Sequence, residues 1–487
     1  MNRATLAIDL GSTTTIAVIA QNDLSNKINI KGIGVEKTKG VNKGNITDIE
    51  LASDTIQHAL NAAKNSTDEV EFDETVVSVS SAYTKGIRSS GTVNIPNGFI
   101  SEAEINQVLQ MALYNATIVP EYDVIQVLPI FFKVDDGNMV DNPLNMNGMR
   151  LEVSVYITTI KKTTLVNINN TFKNAGVQVT NFVLAGYASA LSLLDDEREK
   201  SGFCVLDIGG TTTDILVFKN NSIIYNDFLP IGSNHITTDL SKMLHTPPAA
   251  AEKLKTQYGT LIPNNDEESR TIRKVKIPVI GSQDETKEMP LDMVQPIIHA
   301  RVEEALILAK AKVESSGMME KIGAGIVLTG GMSEMSGISE LANLVFEGVP
   351  LRVANPQNIQ NGYMSFDNPA MATIVGLLKY SLAGRQVFEL GSDKKLRKVL
   401  ERHVKAPTIT NTAPKISISE KPEPVKEKVR TIKEPVPPRA EKKQQPQQPQ
   451  NFTNDLQDMA ANLEDSSLEL PKNAKKGGFW NKISEWF

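Results

Sequence analysis

The chain has 487 residues, of which 40% are hydrophobic, and a formal net charge of −6. That length accommodates two or three domains with a sizeable core, and the mildly acidic balance argues against nucleic acid as the main partner of the body. The single cysteine excludes an intrachain disulfide framework and fits a reducing compartment. Cys204, inside GFCVLDIGG, reads as a small core hydrophobe rather than a nucleophile. The five histidines have no ligand spacing, so no structural metal site is expected. The first residues, MNRATLAIDLGSTTT, enter a strand at once and lack the apolar stretch of a signal peptide. No run is apolar for long enough to span a bilayer, which makes the cytoplasm the expected compartment.

From Met1 to about Leu390 strand-like runs alternate with helical patterns, which predicts α/β layers. LAIDL comes first and runs into Asp9-Leu-Gly-Ser-Thr-Thr-Thr15, followed by the apolar TIAVIA. TVVSVS, GTVNI, VIQVLPIFFKV and EVSVYITTI follow as strands, and ISEAEINQVLQMALYNAT as a helix capped by Ser101 with Glu104 three residues on. FCVLDI then leads into Asp207-Ile-Gly-Gly-Thr-Thr-Thr-Asp214 and the strand DILVF. Val302 to Val313 has the spacing of an amphipathic helix, and IVLTGG reads as a buried strand ending in Gly330-Gly331.

The two Asp-x-Gly segments form an internal repeat of strand, glycine turn, hydroxyl residues and strand. Gly11, Gly209 and Gly210 let backbone N–H groups approach an anion without a side-chain clash. Ser12, Thr13, Thr211 and Thr212 supply hydroxyls to phosphate oxygens. Asp9 and Asp207, each at a strand end, suit Mg²⁺ held through its waters. One such loop is weak evidence, since a glycine turn with threonines is also a common hairpin; two copies predict two similar domains clamping one nucleotide. Gly330 and Gly331 offer flat backbone to a stacked purine. Glu252 and Lys255, three apart on one helical face, can reach a ribose or base, although taken alone they read as a surface ion pair.

These loops resemble those of the actin-like ATPase superfamily, and within it the match to the bacterial FtsA family of cell-division proteins is close. GVNKGNITDIE (Gly40 to Glu50), DNPLNMNGMRLEVSVYITT (Asp141 to Thr159) and IGSNHITTDLSKML with its following helix resemble FtsA segments. The resemblance implies an α/β, two-lobed actin-like fold in which subdomain 1B is missing and a distinct subdomain, 1C, is inserted. The expected boundaries are 1–83 and 163–200 for the first lobe, 84–162 for the insert, 201–234 and 314–365 for the second lobe, 235–313 for subdomain 2B and 366–390 for the return to the first lobe. A disordered linker is expected over 391–476 and an amphipathic helix over 477–487. Two departures from the family pattern are Asn145, where a glycine is usual, and Ser233, where a second glycine would follow Gly232. A third concerns catalysis. Actins usually carry Gln or Glu near the start of the first connecting helix to orient the attacking water, and LAGYASALSLL has neither. Slow hydrolysis is expected, with ATP acting as a conformational and assembly ligand.

KPEPVKEKVRTIKEPVPPRAEKKQQPQQPQ, in the linker, cannot bury enough apolar surface to offset its ordering entropy. Both tryptophans of the chain lie beyond it, in GGFWNKISEWF. On a helix, Phe479, Trp480, Ile483, Trp486 and Phe487 share one face, with Lys472, Lys475 and Lys476 just upstream. That pattern suits a membrane interface; the other reading is a helix docked on the body or in a partner's groove. FtsA proteins end in a membrane-targeting helix of this kind. One short helix binds weakly, but a filament presents many at once, and a coil of about ninety residues spans roughly 50 Å.

The family therefore implies an ATP-binding protein that polymerises with itself on the cytoplasmic side of the membrane at the septum. It anchors FtsZ filaments there and meets other division proteins through the insert. The FtsZ C-terminal tail would bind 2B, where Arg301 and Glu304 are the candidate contacts; their plainer reading is helix surface charge. Two other readings are a sugar or acetate-type kinase, which would need a carboxylate base in the cleft, and a peptide-binding pilus-assembly relative, which usually lacks the terminal helix.

Overall fold

LAIDL and TIAVIA form strands because each alternates apolar residues between two buried faces. β1 (Ala4–Leu10) pairs antiparallel with β2 (Thr14–Asn22), and β2 with β3 (Ile28–Lys37). Leu6, Ile8, Ala17 and Ile19 enter one apolar cluster, while Ala7, Ile16, Val18 and Ala20 enter another, the period of two that a strand imposes. The computed structural model describes residues 4–23, 27–67, 72–262, 274–281, 285–356, 359, 365–383 and 388–397. All of these lie in one unit, Met1–Ala406; the second, Pro407–Phe487, is outside the described residues, and the expected terminal helix with it.

After β3 comes a small hairpin, β4 (Val41–Asn42) and β5 (Asn45–Ile46), then helix α1 (Ile49–Asn65) and β6 (Glu74–Val79). β7 (Thr84–Asn94), α2 (Glu102–Asn115), β8 (Tyr122–Val134), β9 (Met139–Val140) and β10 (Arg150–Lys161) make a separate sheet in the order β7-β10-β8-β9 with α2 against it. This is the inserted subdomain. It has its own apolar core, around Ile105, Val108, Leu109, Phe132 and Val153. The α2 start carries the expected capping box: Ala103 N–H donates to Ser101 Oγ (3.2 Å) and Ser101 N–H to Glu104 Oε2 (2.9 Å). Asn145 adopts φ 66, a left-handed conformation that asparagine tolerates, so the missing glycine leaves this loop intact.

The first lobe resumes with α3 (Lys162–Asn174), β11 (Asn181–Leu184) and α4 (Ala185–Ser192), and α5 (Asp196–Ser201) leads to the second lobe. There β12 (Phe203–Ile208), β13 (Thr213–Lys219) and β14 (Ser222–Leu229) repeat the antiparallel ribbon. α6 (Ser233–Met243), α7 (Pro248–Tyr258), the hairpin β15 (Lys274–Pro278) with β16 (Thr286–Pro290), and α8 (Val294–Ser315) follow. The lobe closes with β17 (Ile326–Thr329), α9 (Ile338–Val345) and β18 (Leu351–Val353), and α10 (Ala372–Leu382) returns to the first lobe.

The two main sheets have one topology. The first runs β3-β2-β1-β6-β11 and the second β14-β13-β12-β17-β18, with β6 parallel to β1 and β17 parallel to β12. α4 and α10 lie between the sheets: their residues share one cluster with Ala7 and Val18 of the first and Val205, Leu216 and Phe218 of the second. The repeat inferred from the Asp-x-Gly loops thus extends to whole sheets.

The change of composition at Gly391 does not mark the end of the packed chain, and the expected linker start is corrected here. Phe388 and Leu390 are buried in the insert's core, and Leu390 exchanges two backbone hydrogen bonds with Val127 of β8 (3.0 and 3.1 Å). Lys394 pairs with Asp123 (3.0 Å). Arg397 returns to the first lobe, where its guanidinium bonds Glu74 and Glu389 (3.0 Å each) and lies 3.8 Å from the Tyr380 ring. In residues 391–397, GSDKKLR, Leu396 is the one large apolar side chain, too little to read as an element.

Candidate functional site

Both Asp-x-Gly loops sit where a central strand ends, and both fold by the same local bond. Gly11 N–H donates to Thr14 O (3.2 Å), and Gly209 N–H to Thr212 O (2.9 Å). Each turn returns the chain antiparallel, so Leu10 opposes Thr15 in one ribbon and Ile208 opposes Thr213 in the other. The two turns face one another across a cavity of about 630 Å³, within the range for small-molecule sites.

Asp9, Gly11, Ser12, Thr13, Asp207, Gly209, Gly210, Thr212, Glu252, Lys255, Gly330 and Gly331 all line this cavity. Thr211 does not line it; its Oγ1 accepts from the Lys43 N–H at the tip of the β4–β5 hairpin (2.9 Å). The loops also touch directly. A Cβ on Gly210 would lie 1.9 Å from Thr13 Oγ1, so only glycine permits that approach. Asn234 Nδ2 donates to Thr13 Oγ1 (3.3 Å). Ser233 is the first residue of α6, after Gly232 as N-cap, and its N–H donates to Gly209 O (3.0 Å); an L-residue fits there, whereas a Cβ on Gly232 would meet the Gly209 and Gly210 backbone.

Three carboxylates converge here. Asp9 Oδ1 accepts from Ser78 Oγ (2.6 Å), Asp207 Oδ2 from Ser189 Oγ (2.5 Å) and Thr373 Oγ1 (3.2 Å), and Asp214 Oδ1 from the Ser81 N–H (2.8 Å). Among the described residues no basic side chain forms an ion pair with any of them. Burial pushes the Asp9 carboxyl up to about 6, against the Ser78 hydrogen bond and with the Asp207 charge adding to it. Burial, then the Asp207 and Asp9 charges, push Asp214 up to about 7, and burial raises Asp207 as well. The site holds uncompensated negative charge on hard oxygen donors, which favours a cation at this end. Among the described residues no three His, Cys, Asp or Glu side chains converge as direct ligands, so a cation here would draw part of its shell from water and ligand.

At the other end Glu252 and Lys255 form an ion pair (2.8 Å). Thr237 Oγ1 donates to Glu252 Oε2 (2.5 Å), and Lys255 Nζ donates to Thr237 Oγ1 (3.0 Å) and Ser233 O (3.3 Å). Burial pushes the Glu252 carboxyl up, but the bonds from Lys255 and Thr237 outweigh it and hold it below its usual range. Gly330, at φ 84, packs where a Cβ would lie 2.4 Å from Asp207 Oδ1. Met332, Met335 and Ala370 add apolar wall.

Sequence reasoning missed Asp214, Ser78, Ser189, Thr373 and Lys43. A signal existed for Asp214. It pairs across the ribbon with Asp207, where the first ribbon opposes Asp9 with Ile16; a carboxylate that breaks an internal repeat inside an apolar strand asks for a reason. The hydroxyls reach the site from distant elements and left no local pattern. Arg301 and Glu304 lie on α8 and do not line the cavity. Arg301 Nε meets Asp239 Oδ2 of α6 (2.6 Å) and Nη1 meets Glu304 Oε2 (2.5 Å). Phe479, Trp480, Ile483, Trp486 and Phe487 fall outside the described residues.

Two like-folded lobes, paired phosphate-type loops and a separate subdomain between β6 and α3 define an actin-like protein with an inserted domain. A chain of a solved PilM-PilN type IV pilus biogenesis complex has the same fold, with a TM-score of 0.54, 15% identity, and 78% of this chain and 98% of that one covered. The family described as "Cell division protein FtsA" matches residues 204–376, and that described as "SHS2 domain inserted in FTSA" matches 81–159. Cell division protein FtsA of Helicobacter pylori (strain ATCC 700392 / 26695) is 32% identical over 418 residues, 80% of this chain and 84% of that protein. FtsA of Neisseria meningitidis serogroup B (strain ATCC BAA-335 / MC58) is 31% identical over 372 residues, covering 76% and 88%. The chain belongs to the FtsA family of cell-division proteins. Those relatives disfavour the pilus-assembly and kinase readings.

Proposed function

We propose that this chain binds ATP with Mg²⁺ between its lobes, polymerises on the cytoplasmic face of the membrane at the septum, and anchors FtsZ filaments there. The observation that carries the nucleotide reading is the pair of glycine turns facing each other across one cavity. Gly11, Ser12 and Thr13 on one side and Gly209, Gly210 and Thr212 on the other would hold the phosphates. Asp9 and Asp207, with Asp214 behind them, would hold Mg²⁺ through its waters, and the metal would neutralise the phosphate charge. Glu252 and Lys255 would meet the ribose or base, with Gly330 and Gly331 beneath the purine. α4 offers no Gln or Glu, and its Ser189 is spent on Asp207, so hydrolysis is slow and ATP acts as an assembly ligand.

The partner readings rest on the family and the sequence. The FtsZ tail is assigned to the α6–α8 face that carries Arg301 and Glu304, other division proteins to the insert, and membrane lipids to the aromatic terminal segment. Calorimetry tests the core of the reading. Asp207→Ala and Gly209→Val alter the site and leave the apolar clusters untouched, so both are expected to lose Mg-ATP binding while melting as cooperatively as wild type. Undiminished affinity in both variants would sink the assignment.

A further inference from the structure

β8 carries a proline and still runs as a strand, because the ladder breaks beside it. Pro129 pairs with Val155 and Phe131 with Ser154, so Ile130 is the extra residue of a bulge, a place where a strand tolerates proline. β14 breaks in the same way: Tyr225 pairs with Val217 and Ile223 with Phe218, which leaves Ile224 over. The two bulges meet in one contact between the insert and the second lobe. Ile130 packs against the second lobe's apolar cluster, and the Ile224 carbonyl accepts from Arg88 Nη2 of β7 (2.8 Å). Tyr156 of β10, itself buried, turns its hydroxyl to Asn226 of β14. That hydroxyl accepts from the Asn226 N–H (3.0 Å) and donates to Asn226 Oδ1 (2.8 Å). Asn226 Nδ2 donates in turn to Thr84 Oγ1 at the start of β7 (3.0 Å). A Cβ on Gly86 would lie 1.7 Å from the Tyr156 hydroxyl oxygen, so β7 is notched to admit it. β14 is an edge strand of its sheet, and side chains of the insert satisfy its open backbone groups where another strand would otherwise do so.

We propose that the insert is an interlobe lock: it travels with the first lobe and holds the second through Tyr156 and Arg88. Its ties to the first lobe are the firmer ones. Both chain crossings lie there, joined by the bond from the Lys161 N–H to Tyr83 O (3.1 Å). Phe388 and Leu390, on the segment that Arg397 clamps to the first lobe, are buried in the insert's core. On the second lobe it has only packing and side-chain bonds; among the described residues no strand of the insert pairs with a strand of that lobe. Rotation of one lobe on the other therefore strains this contact before it strains either main sheet. Asn226 then loses three hydrogen bonds at once, since all three run to the insert. A group held by several bonds to one body lets go of them together, which gives the lock a closed and an open state and little between. In the open state water takes up the freed groups of β14, so each bond costs only its modest net worth. The lock is independent of what fills the cavity.

Spin-label distances and hydrogen exchange in the full-length chain test this. Tyr114 on α2 of the insert and Leu344 on α9 of the second lobe are 85% and 77% exposed. Tyr114→Cys with Leu344→Cys takes a label at each, while Cys204 is buried and stays unlabelled. Diluted with unlabelled chain, this pair is expected to give one narrow distance distribution. Tyr156→Phe keeps the ring in its apolar cluster and removes the hydroxyl. It should broaden the distribution or add a second distance, and speed exchange at the Asn226 amide about tenfold, the worth of roughly one hydrogen bond. Gly86→Ala crowds the same hydroxyl from the β7 side and should act in the same direction. Should Tyr156→Phe fail to fold, Asn226→Ala opens the lock from the other lobe and is expected to give the same result. Exchange along the β7–β10 ladder should stay as in wild type. An unchanged narrow distribution in the variants overturns the lock, as does a broad one in the wild type. Faster exchange along the whole β7–β10 ladder overturns it too, because the hydroxyl then supports the insert's own fold and not its hold on the second lobe.

Discussion

Asp214 illustrates what a single side chain adds. Asp9 and Asp207 were legible because each closes an apolar strand just before glycine. Asp214 stands inside the returning strand, and only the cross-strand register brings it against Asp207. Its folded-state pKa, about 7, lies well above the ordinary 3.8. The folded state therefore holds this proton more tightly than the unfolded chain does. The stability this contributes is fully present below about pH 4 and is lost as pH rises through about 7. Without ligand, the protein should lose stability as pH rises between those limits. Asp214→Asn removes the titration, so thermal melts of the variant should have a flatter slope from pH 4 to 7 and a higher midpoint above pH 7. Mg²⁺ added to the wild type should raise the midpoint in the same window. Glu104, whose carboxyl the Ser101 hydroxyl and N–H hold below its usual range, works the other way, losing its contribution only in acid.

At the scale of elements, helices with caps and strands with alternation were readable, and contacts made at long range were not. The capping box of α2 follows from residues three apart. The clamp on Arg397 joins Glu74, Tyr380 and Glu389, which no local pattern connects. Glu389 is almost fully buried, and removing the guanidinium strands a carboxylate, a change that typically costs about 3–5 kcal/mol. Arg397→Ala should show that loss in urea unfolding, and adding Glu389→Gln should recover part of it by removing the stranded charge. On α8 the expected surface pair became a triad, because Asp239 of α6 also holds Arg301. This strengthens a structural role, the tying of two helices. Arg301→Glu separates the two: if the face binds the FtsZ tail, affinity for a peptide of that tail should fall about tenfold or more, with a melting shift of only a few degrees. A melting shift with unchanged affinity leaves Arg301 as a helix tie.

For the whole molecule, two short loops foretold a pair of sheets with one topology, because a repeated strand–turn–strand needs the same neighbours to bury its faces in each copy. The insert was legible from its own alternation and its resemblance to FtsA segments. The terminal segment carries the remaining test of the proposed function. Trp480→Glu with Trp486→Glu puts two charges among its aromatic residues, and should release the protein from anionic liposomes while leaving ATP binding unchanged. Wild-type binding should weaken modestly with salt, since Lys472, Lys475, Lys476 and Lys482 each contribute about 1 kcal/mol near an anionic surface. Tryptophan emission reads this out directly, because both tryptophans of the chain lie in that segment. No blue shift on adding vesicles would leave a protein partner as the occupant of that segment.

The segment from Phe388 to Arg397 also sets a direction for force. It is the last described stretch of the chain. Tension along that part of the chain meets the Glu74–Arg397–Glu389 fork first, and behind it the two backbone bonds between Leu390 and Val127. Load therefore enters at the seam between the insert and the first lobe, away from the cleft. The fork and that pair of bonds are small beside either main sheet, so they yield before the sheets do. Pulled from that end, the chain would give at this seam, slackening the insert while the lobes stay closed.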